Sequence, residues 1–206
     1  KAALNFPIEL VELAPGQFVL ELFHGPTAAF KDVGARSMAR FLSAFSDQRL
    51  TVLVATSGDT GSAVAQGFLN VPGIDVVILY PSGRISQIQE QQLTTAGANV
   101  TALEVRGNFD DCQRMVKAAF LDADLQSQRA LTSANSINLA RWIPQGAYYA
   151  WATYLLGEAA HFVVPSGNLG NLAAGVLAHR MGMPALGFTA ASNANDVVPE
   201  YLRTGT

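Results

Sequence analysis

The stretch "TVLVATSGDTGS", residues 51–62, joins a run of β-branched and apolar residues to a loop of glycines, hydroxyls and one carboxylate. An apolar run of this length that ends in turn residues predicts a buried strand over residues 51–56. The same reasoning predicts four further strands, at residues 75–80, 99–105, 161–165 and 185–190. The chain therefore contains several short apolar strands, separated by segments of another pattern.

The segments between these strands carry a helical period. The spacing i, i+3, i+4, i+7 is met by Met38, Phe41, Leu42 and Phe45, and residues 112–120 repeat it over two turns. Strands that alternate with helices indicate parallel sheets built from βαβ units, so the predicted fold class is α/β. In such sheets ligands bind at the carboxyl ends of the strands, in the loops that lead into helices.

Composition excludes several classes of partner. Half of the 206 residues are hydrophobic, 14% are charged and the formal net charge is -3, which argues against nucleic acid or an anionic membrane as the main partner. No uninterrupted apolar run reaches the roughly 18–20 residues of a membrane-spanning helix. The first residues lack the pattern of a signal peptide, and the single cysteine, Cys112, allows neither an internal disulfide nor a cysteine metal cluster. We expect a cytoplasmic protein without a metal.

The loop at residues 56–62 is the first of three polar loops. Its glycines and hydroxyls would let backbone N–H groups converge on an anion at the start of the next helix. It is not a P-loop, because no Gly-Lys-Ser/Thr follows. The alternative is an ordinary strand-to-helix turn with Ser57 or Asp59 as the N-cap.

The second loop, "PSGNLGN" at residues 165–171, follows the predicted strand at residues 161–165. Gly167 and Gly170 allow close approach of the backbone, and a helix that begins near Asn171 adds a favourable dipole. The loop lacks the G-x-G-x-x-G spacing of a dinucleotide site, so a single phosphate fits better than a pyrophosphate. A purely structural turn is the alternative.

The third loop, "SANSINLAR" at residues 133–141, carries uncharged donors and one arginine. The Arg141 guanidinium could bind a phosphate or a carboxylate. The alternative is a helix N-cap with an arginine on the surface. Residues 132–138 are the most loop-like part of the middle of the chain and are predicted to form a crossover between domains.

Lys31 lies in "HGPTAAFKD", residues 24–32, among apolar and small residues. Burial disfavours the ammonium form of a lysine, and an unprotonated amine can form a Schiff base. A phosphate-binding loop, a hydroxyl loop that captures an acid and such a lysine together suggest pyridoxal 5'-phosphate. Taken alone, Lys31 would be interpreted as an exposed lysine at a helix N-terminus, and the combination with the loops favours the cofactor.

Four motifs then identify a family. "HGPTAAFKD", "ATSGDTG", "SANSIN" followed by Arg141, and "VPSGNLGN" occur in this order and resemble threonine synthases of the bacterial and fungal branch, over residues 21–190. The resemblance implies the tryptophan synthase β-like fold (fold type II), with parallel sheets and helices on both faces. It also implies pyridoxal phosphate as cofactor and the conversion of O-phospho-L-homoserine and water into L-threonine and phosphate.

The resemblance also implies roles for individual residues. Lys31 matches the catalytic lysine that forms the Schiff base, and Asp59 matches a position beside the cofactor ring. The cofactor phosphate would be bound by Gly167, Asn168, Leu169, Gly170 and Asn171. The substrate would be bound by Ser57, Thr60, Asn135, Ser136 and Arg141.

Family members of this branch are roughly twice as long, so the chain is expected to be incomplete at both ends and inactive by itself. Residues 1–22 and 136–206 are expected to belong to a larger cofactor-binding domain, and residues 23–135 to a smaller α/β domain with the catalytic lysine. The alternatives are another fold-type II lyase, such as threonine dehydratase or cysteine synthase, and a non-catalytic anion-binding fragment.

Overall fold

The computed structural model describes residues 3–136, 138–165, 167–194 and 196–205. Ile137 and Ser166, which belong to two of the motifs above, lie outside the described residues. Within the described ranges, no helix combines the length and the apolar character needed to cross a membrane. The backbone separates into two compact units, Lys1–Pro144 and Gln145–Thr206.

The strands of the first unit form a hairpin and a sheet. The hairpin pairs β1 (Glu9–Ala14) with β2 (Gln17–Glu21) in antiparallel fashion. The sheet is parallel and has the order β5-β4-β3-β6. Its strands are β3 (Leu50–Ala55), β4 (Ile74–Pro81), β5 (Val100–Val105) and β6 (Ala130–Ser133).

Helices connect these strands. They are α1 (Lys31–Phe45), α2 (Asp59–Phe68), α3 (Gln87–Thr94), α4 (Phe109–Leu121) and α5 (Ala123–Gln128). A further helix, α6 (Leu139–Leu156), follows β6. Because α1 and α2 begin directly after the turn at residues 24–30 and the loop at residues 56–58, the first residues of both helices come from two of the predicted motifs.

Both faces of the four-stranded sheet are covered, because successive strand residues point to opposite sides. Val52 and Val54 pack with residues of α1, α2 and α3 in one apolar cluster. Leu53 and Ala55 pack with Cys112 of α4 in a second cluster. Each fully buried valine or leucine side chain contributes about 1.5–3 kcal/mol, so these clusters fix the strands that carry the loops.

The second unit is built on the parallel pair β7 (Ala160–Pro165) and β8 (Ala185–Ala191). Its helices are the later turns of α6, α7 (Gly170–Arg180) and α8 (Val197–Thr204). Gly175 of α7 packs tightly, since an added Cβ would lie 2.8 Å from both Phe188 and Tyr149. The close contact holds α7, and the loop before it, against β8 and α6.

The five predicted strands are confirmed to within about one residue at each end, and the residues with helical spacing at 38–45 and 112–120 lie inside the longer helices α1 and α4. One prediction is wrong: Thr132 and Ser133 belong to β6 and not to a loop. Four residues are too few to show a period, and β6 exists because β3 offers its backbone as a partner along the sheet. The division into domains at residues 22 and 136 stays a prediction.

Candidate active site

Lys31 is the first residue of α1, and its side chain is only 12% exposed. Nζ donates a hydrogen bond to Oδ2 of Asp59 at 2.8 Å and lies 4.4 Å from the ring centroid of Phe30. The alternative of an exposed lysine is therefore wrong, although the position at a helix N-terminus is right. The carboxylate and the aromatic ring hold this enclosed amine in a defined place.

The turn before Lys31 is tied to the residue after it. The N–H of Ala28 donates to the carbonyl of Gly25 at 3.0 Å, which closes the turn. The carboxylate of Asp32 accepts hydrogen bonds from the N–H of Thr27 at 2.9 Å and from its hydroxyl at 2.7 Å. Asp32 is fully buried and was not among the predicted site residues; its position in the first turn of a helix was the available signal.

The loop at residues 56–62 is held by Thr56, not by Ser57 or Asp59. The Thr56 hydroxyl accepts from the N–H of Gly58 at 3.2 Å and of Gly61 at 2.9 Å. The N-cap of α2 is Gly58, which has no side-chain hydrogen bond. The predicted alternative, an N-cap at Ser57 or Asp59, is wrong. Neither Ser57 nor Thr60 caps the helix; the Ser57 side chain is exposed and that of Thr60 is half-buried.

Gly61 is required by the closeness of Thr56. A Cβ at this position would lie 2.5 Å from Cγ2 of Thr56 and 3.0 Å from Cδ2 of Leu93. No real Cβ approaches another carbon so closely, so any other residue would push the first turn of α2 away from β3. The second glycine of the motif thus sets the position of the helix that begins with Asp59.

Asn135 joins the third loop to the first. Its Nδ2 donates to the carbonyl of Ala55 at 2.8 Å, and its Oδ1 accepts from the Ala55 N–H at 3.3 Å. The side chain therefore continues the sheet beyond the last residue of β6 and brackets the end of β3. Its predicted contact with a substrate phosphate stays a prediction, beside this observed role in holding two loops together.

Arg141 is nearly inaccessible, with 1% exposure, and its Nη1 donates to the carbonyl of Ala134 at 2.6 Å. Asn138 caps α6, because its Oδ1 accepts the N–H of Ala140 at 2.9 Å. The predicted alternative for this loop is thus half right, since the N-cap is present but the arginine is not on the surface. Binding of substrate by Ser136 and Arg141 stays a prediction.

The loop at residues 167–171 leads into α7, which begins at Gly170, one residue earlier than predicted. Leu169 has a left-handed conformation (φ 60°), and Oδ1 of Asn168 accepts the N–H of Gly170 at 3.1 Å. An added Cβ at Gly167 would meet nothing within 4 Å. The loop therefore has open space at Gly167 and a helix N-terminus behind it.

Two tyrosines of α6 hold the end of this loop. The Tyr148 hydroxyl donates to Oδ1 of Asn171 at 2.6 Å, and the Tyr149 hydroxyl lies 2.7 Å from the same oxygen. Burial raises the pKa of the Tyr149 phenol, so it remains a protonated donor at neutral pH. The sequence offered no sign of this anchor, because 22 positions separate Tyr149 from Asn171.

Comparison with known proteins places this geometry in a context. The model of the family described as "Pyridoxal-phosphate dependent enzyme" matches residues 12–206. The threonine synthase of Haemophilus influenzae is 47% identical over 100% of this chain and 49% of its own length. That of Saccharomyces cerevisiae is 42% identical over 91% of this chain and 40% of its own length. The chain thus spans about half the length of the curated relatives that it matches.

Comparison with solved structures identifies the same enzymes as the sequence comparison. The crystal structure of threonine synthase from Escherichia coli superposes with a TM-score of 0.91 and 46% identity, over 100% of this chain and 49% of that one. Threonine deaminase isoform 2 from Solanum lycopersicum gives a TM-score of 0.75 at 18% identity, which shows the fold alone. The predicted fold is confirmed.

Proposed function

Because the chain belongs to the family of pyridoxal-phosphate dependent enzymes, we propose that it is part of a threonine synthase, which converts O-phospho-L-homoserine and water into L-threonine and inorganic phosphate. The carrying observation is the enclosed amine of Lys31, which lies 2.8 Å from Asp59 at the starts of two helices. High identity to threonine synthases along the whole chain supports the choice of reaction.

The residues present fit the cofactor. Lys31 would bind its aldehyde carbon through Nζ, and the loop at residues 167–171 would bind its phosphate. That loop contains no carboxylate, has room at Gly167 and precedes the N-terminus of α7, where N–H groups point outward. The neutral Tyr149 phenol and the Asn171 amide hold the loop without placing a negative charge beside a phosphate.

Pyridoxal phosphate, when bound, supplies an electron sink for negative charge that develops on the carbons of the substrate. Lys31 would accept and return protons at Nζ during that chemistry. Asp59 accepts a hydrogen bond from the same atom and so limits the directions in which the amine can point. The enclosure of Lys31, at 12% exposure, restricts the access of water to the proton it carries.

The substrate would be bound by the first and third loops. Ser57 and Thr60 are available for its carboxylate, because the Thr56 hydroxyl already caps the turn. Arg141 would supply the positive charge for its phosphate, with Ser136 as a neutral donor. Asn135, with its amide bonded to Ala55, would keep these two loops in register. A second anion site separates this reaction from those of lyases that act on substrates without phosphate.

We extend the proposal to setting and partners. The enzyme would act in the cytoplasm on a small molecule, without nucleic acid and without a membrane. The net charge of -3 and the single cysteine, which is a buried residue of α4, support this assignment.

The experiment that tests the function is a substrate comparison on the full-length protein. Phosphohomoserine, serine and threonine are supplied separately, and phosphate, threonine and ammonia are measured. We expect equal amounts of phosphate and threonine from phosphohomoserine. Ammonia from threonine without release of phosphate would replace the proposal with a dehydratase, and no turnover with retained phosphate binding would leave an anion-binding protein.

A further inference from the structure

Asp32 is a fully buried carboxylate, at 0% exposure, in the second position of α1 and directly after Lys31. Burial of a carboxylate is unfavourable unless hydrogen bonds replace those it made with water. The N-terminus of a helix lowers that cost, because its dipole favours negative charge. The groups that the Asp32 carboxylate binds therefore indicate why it is buried beside the proposed catalytic lysine.

Those hydrogen bonds run across Lys31. Oδ2 of Asp32 accepts from the N–H of Thr27 at 2.9 Å, and Oδ1 accepts from the Thr27 hydroxyl at 2.7 Å. Thr27 lies five positions earlier, so the two bonds join the residues on either side of Lys31. The N-cap residue of α1, Phe30, makes no side-chain hydrogen bond, so the Asp32–Thr27 pair is a side-chain link between the start of α1 and the turn before it.

The turn is also packed against the carboxylate. A Cβ added at Gly25 would lie 2.8 Å from Cβ and 2.9 Å from Cγ of Asp32 and would collide with its Oδ2. Ala28 adopts a left-handed conformation (φ 53°), which a residue with a side chain accepts only when its surroundings impose it. Gly25, Thr27 and Asp32 together impose that shape on the chain that enters α1.

We infer that Asp32 is a positioning residue for Lys31: by clamping Thr27 it fixes where α1 begins, and thereby the direction of the lysine side chain toward Asp59. This inference rests on the proposed function of Lys31 in cofactor binding. If the clamp opens, the backbone of residues 28–31 gains freedom and Nζ no longer stays at one place.

The test uses Thr27 as the sharper site, because Asp32 itself is buried and its replacement risks misfolding. Thr27→Val removes the hydroxyl at nearly constant volume, and Thr27→Ser restores it. Thr153→Val is the control, since Thr153 is a buried threonine away from Lys31 whose hydroxyl donates to a backbone carbonyl, that of Tyr149 at 3.1 Å. Asp32→Asn is a second variant, which keeps the shape and removes the charge.

Each variant is made in the full-length protein and given pyridoxal phosphate. We measure the rate at which borohydride fixes the cofactor on the peptide that contains Lys31, together with the thermal midpoint and the kcat and KM for phosphohomoserine. For Thr27→Val we expect fixation and kcat each to fall by about tenfold while KM changes by less than about threefold. Thr27→Ser should recover most of both losses, and Thr153→Val should lower only the thermal midpoint.

Two results would overturn the inference. One is normal fixation and normal kcat in both Thr27→Val and Asp32→Asn; the other is an equal loss of kcat in Thr153→Val, which would indicate general destabilisation. The proposed function fails separately. If the unaltered protein fixes the cofactor at Lys31 but makes no threonine from phosphohomoserine, the reaction is wrong, and the fixation rates still test the clamp.

Discussion

Lys31 and Asp59 are the first residues of two different helices, and Nζ of the one lies 2.8 Å from Oδ2 of the other. They are 28 positions apart in sequence and meet because α1 and α2 pack on the same face of the sheet. The lysine side chain is enclosed and that of the aspartate is half exposed, at 12% and 49%. Within the pair, the protein shields the amine from solvent, whereas the carboxylate remains accessible to solvent.

Replacement of Lys31 by alanine should abolish the visible absorbance of the bound cofactor and all turnover, because Nζ is the atom proposed to bind the cofactor. The fold should persist, since Lys31 pairs with a half-exposed carboxylate that water can solvate. Absorbance and circular dichroism of the full-length protein measure both effects. Lys117→Ala, at an exposed site on α4, is the control and should change neither. A cofactor still fixed by borohydride in Lys31→Ala would place the bond elsewhere.

Replacement of Asp59 by asparagine should free Nζ from its ion pair while it keeps the shape of the side chain. We expect borohydride fixation of the cofactor at Lys31 to accelerate by up to about fivefold, the factor that corresponds to the ~1 kcal/mol ceiling for an exposed pair. The thermal midpoint should hardly move. Slower fixation in Asp59→Asn would instead assign to the carboxylate a necessary role in orienting the amine.

Replacement of Gly167 by alanine tests the phosphate loop. The added Cβ meets nothing within 4 Å, so the protein without cofactor should be as stable as before. The methyl group would occupy the space proposed for the phosphate, and cofactor affinity should fall by at least tenfold, about 1.4 kcal/mol.

Leu169→Gly is the matched control for that loop, because glycine accepts the left-handed backbone at φ 60° without strain. Cofactor affinity should stay within about threefold, since backbone N–H groups and not this side chain are proposed to bind the phosphate. Titration of each variant with the cofactor measures both affinities. Equal affinity of Gly167→Ala and the unaltered protein would mean that the loop is only a turn.

Replacement of Arg141 by leucine should raise the KM for phosphohomoserine by about ten- to a hundredfold, since a charge-assisted bond to phosphate contributes roughly 1.5–3 kcal/mol. Arg141 also donates to the buried carbonyl of Ala134, so the midpoint of unfolding should fall as well. Steady-state kinetics and cofactor loading are measured at a temperature where the variant is folded. Loss of loading with unchanged KM would assign Arg141 to the core or to the cofactor.

Asp75 gives the protein a predictable response to acid. Hydrogen bonds from the Arg49 guanidinium at 2.6 Å lower the pKa of this carboxyl below its ordinary 3.8. As the pH falls, Asp75 is protonated in the unfolded chain at a higher pH than in the folded protein. The stabilisation of the folded state by the ion pair is therefore complete above about pH 4 and is lost as the pH falls through the lower pKa of the folded state. Asp75→Asn should therefore lower the thermal midpoint by about a few degrees at pH 7 and not at all in strong acid.

Asp47→Asn, at an exposed site before β3, is the control for this experiment. The difference in midpoint between each variant and the unaltered protein is followed from pH 7 into acid. A difference for Asp75→Asn that stays constant through the acid range would contradict the assignment of the effect to the ion pair.

The sequence determined the elements of this protein because they depend on neighbouring residues. Strands β3, β4, β5, β7 and β8 were visible as short runs of apolar and β-branched residues. The runs of β3 and β4 are the most apolar because both faces of these central parallel strands are buried. The order of the four motifs was enough to identify the family and the fold. The short strand β6 was missed because a strand of four residues forms only beside an existing partner.

Tertiary structure alone decided which polar groups meet. The pairing of Lys31 with Asp59, the bracket of Asn135 on Ala55 across 80 positions and the burial of Arg141 depend on the register of strands and the packing of helices. The same holds for the Asp32–Thr27 clamp: the spacing permits it, but only the path of the turn brings the carboxylate to both donors. A local sequence pattern indicates which residues could belong to a site, and only the contacts between distant elements show which of them lie together.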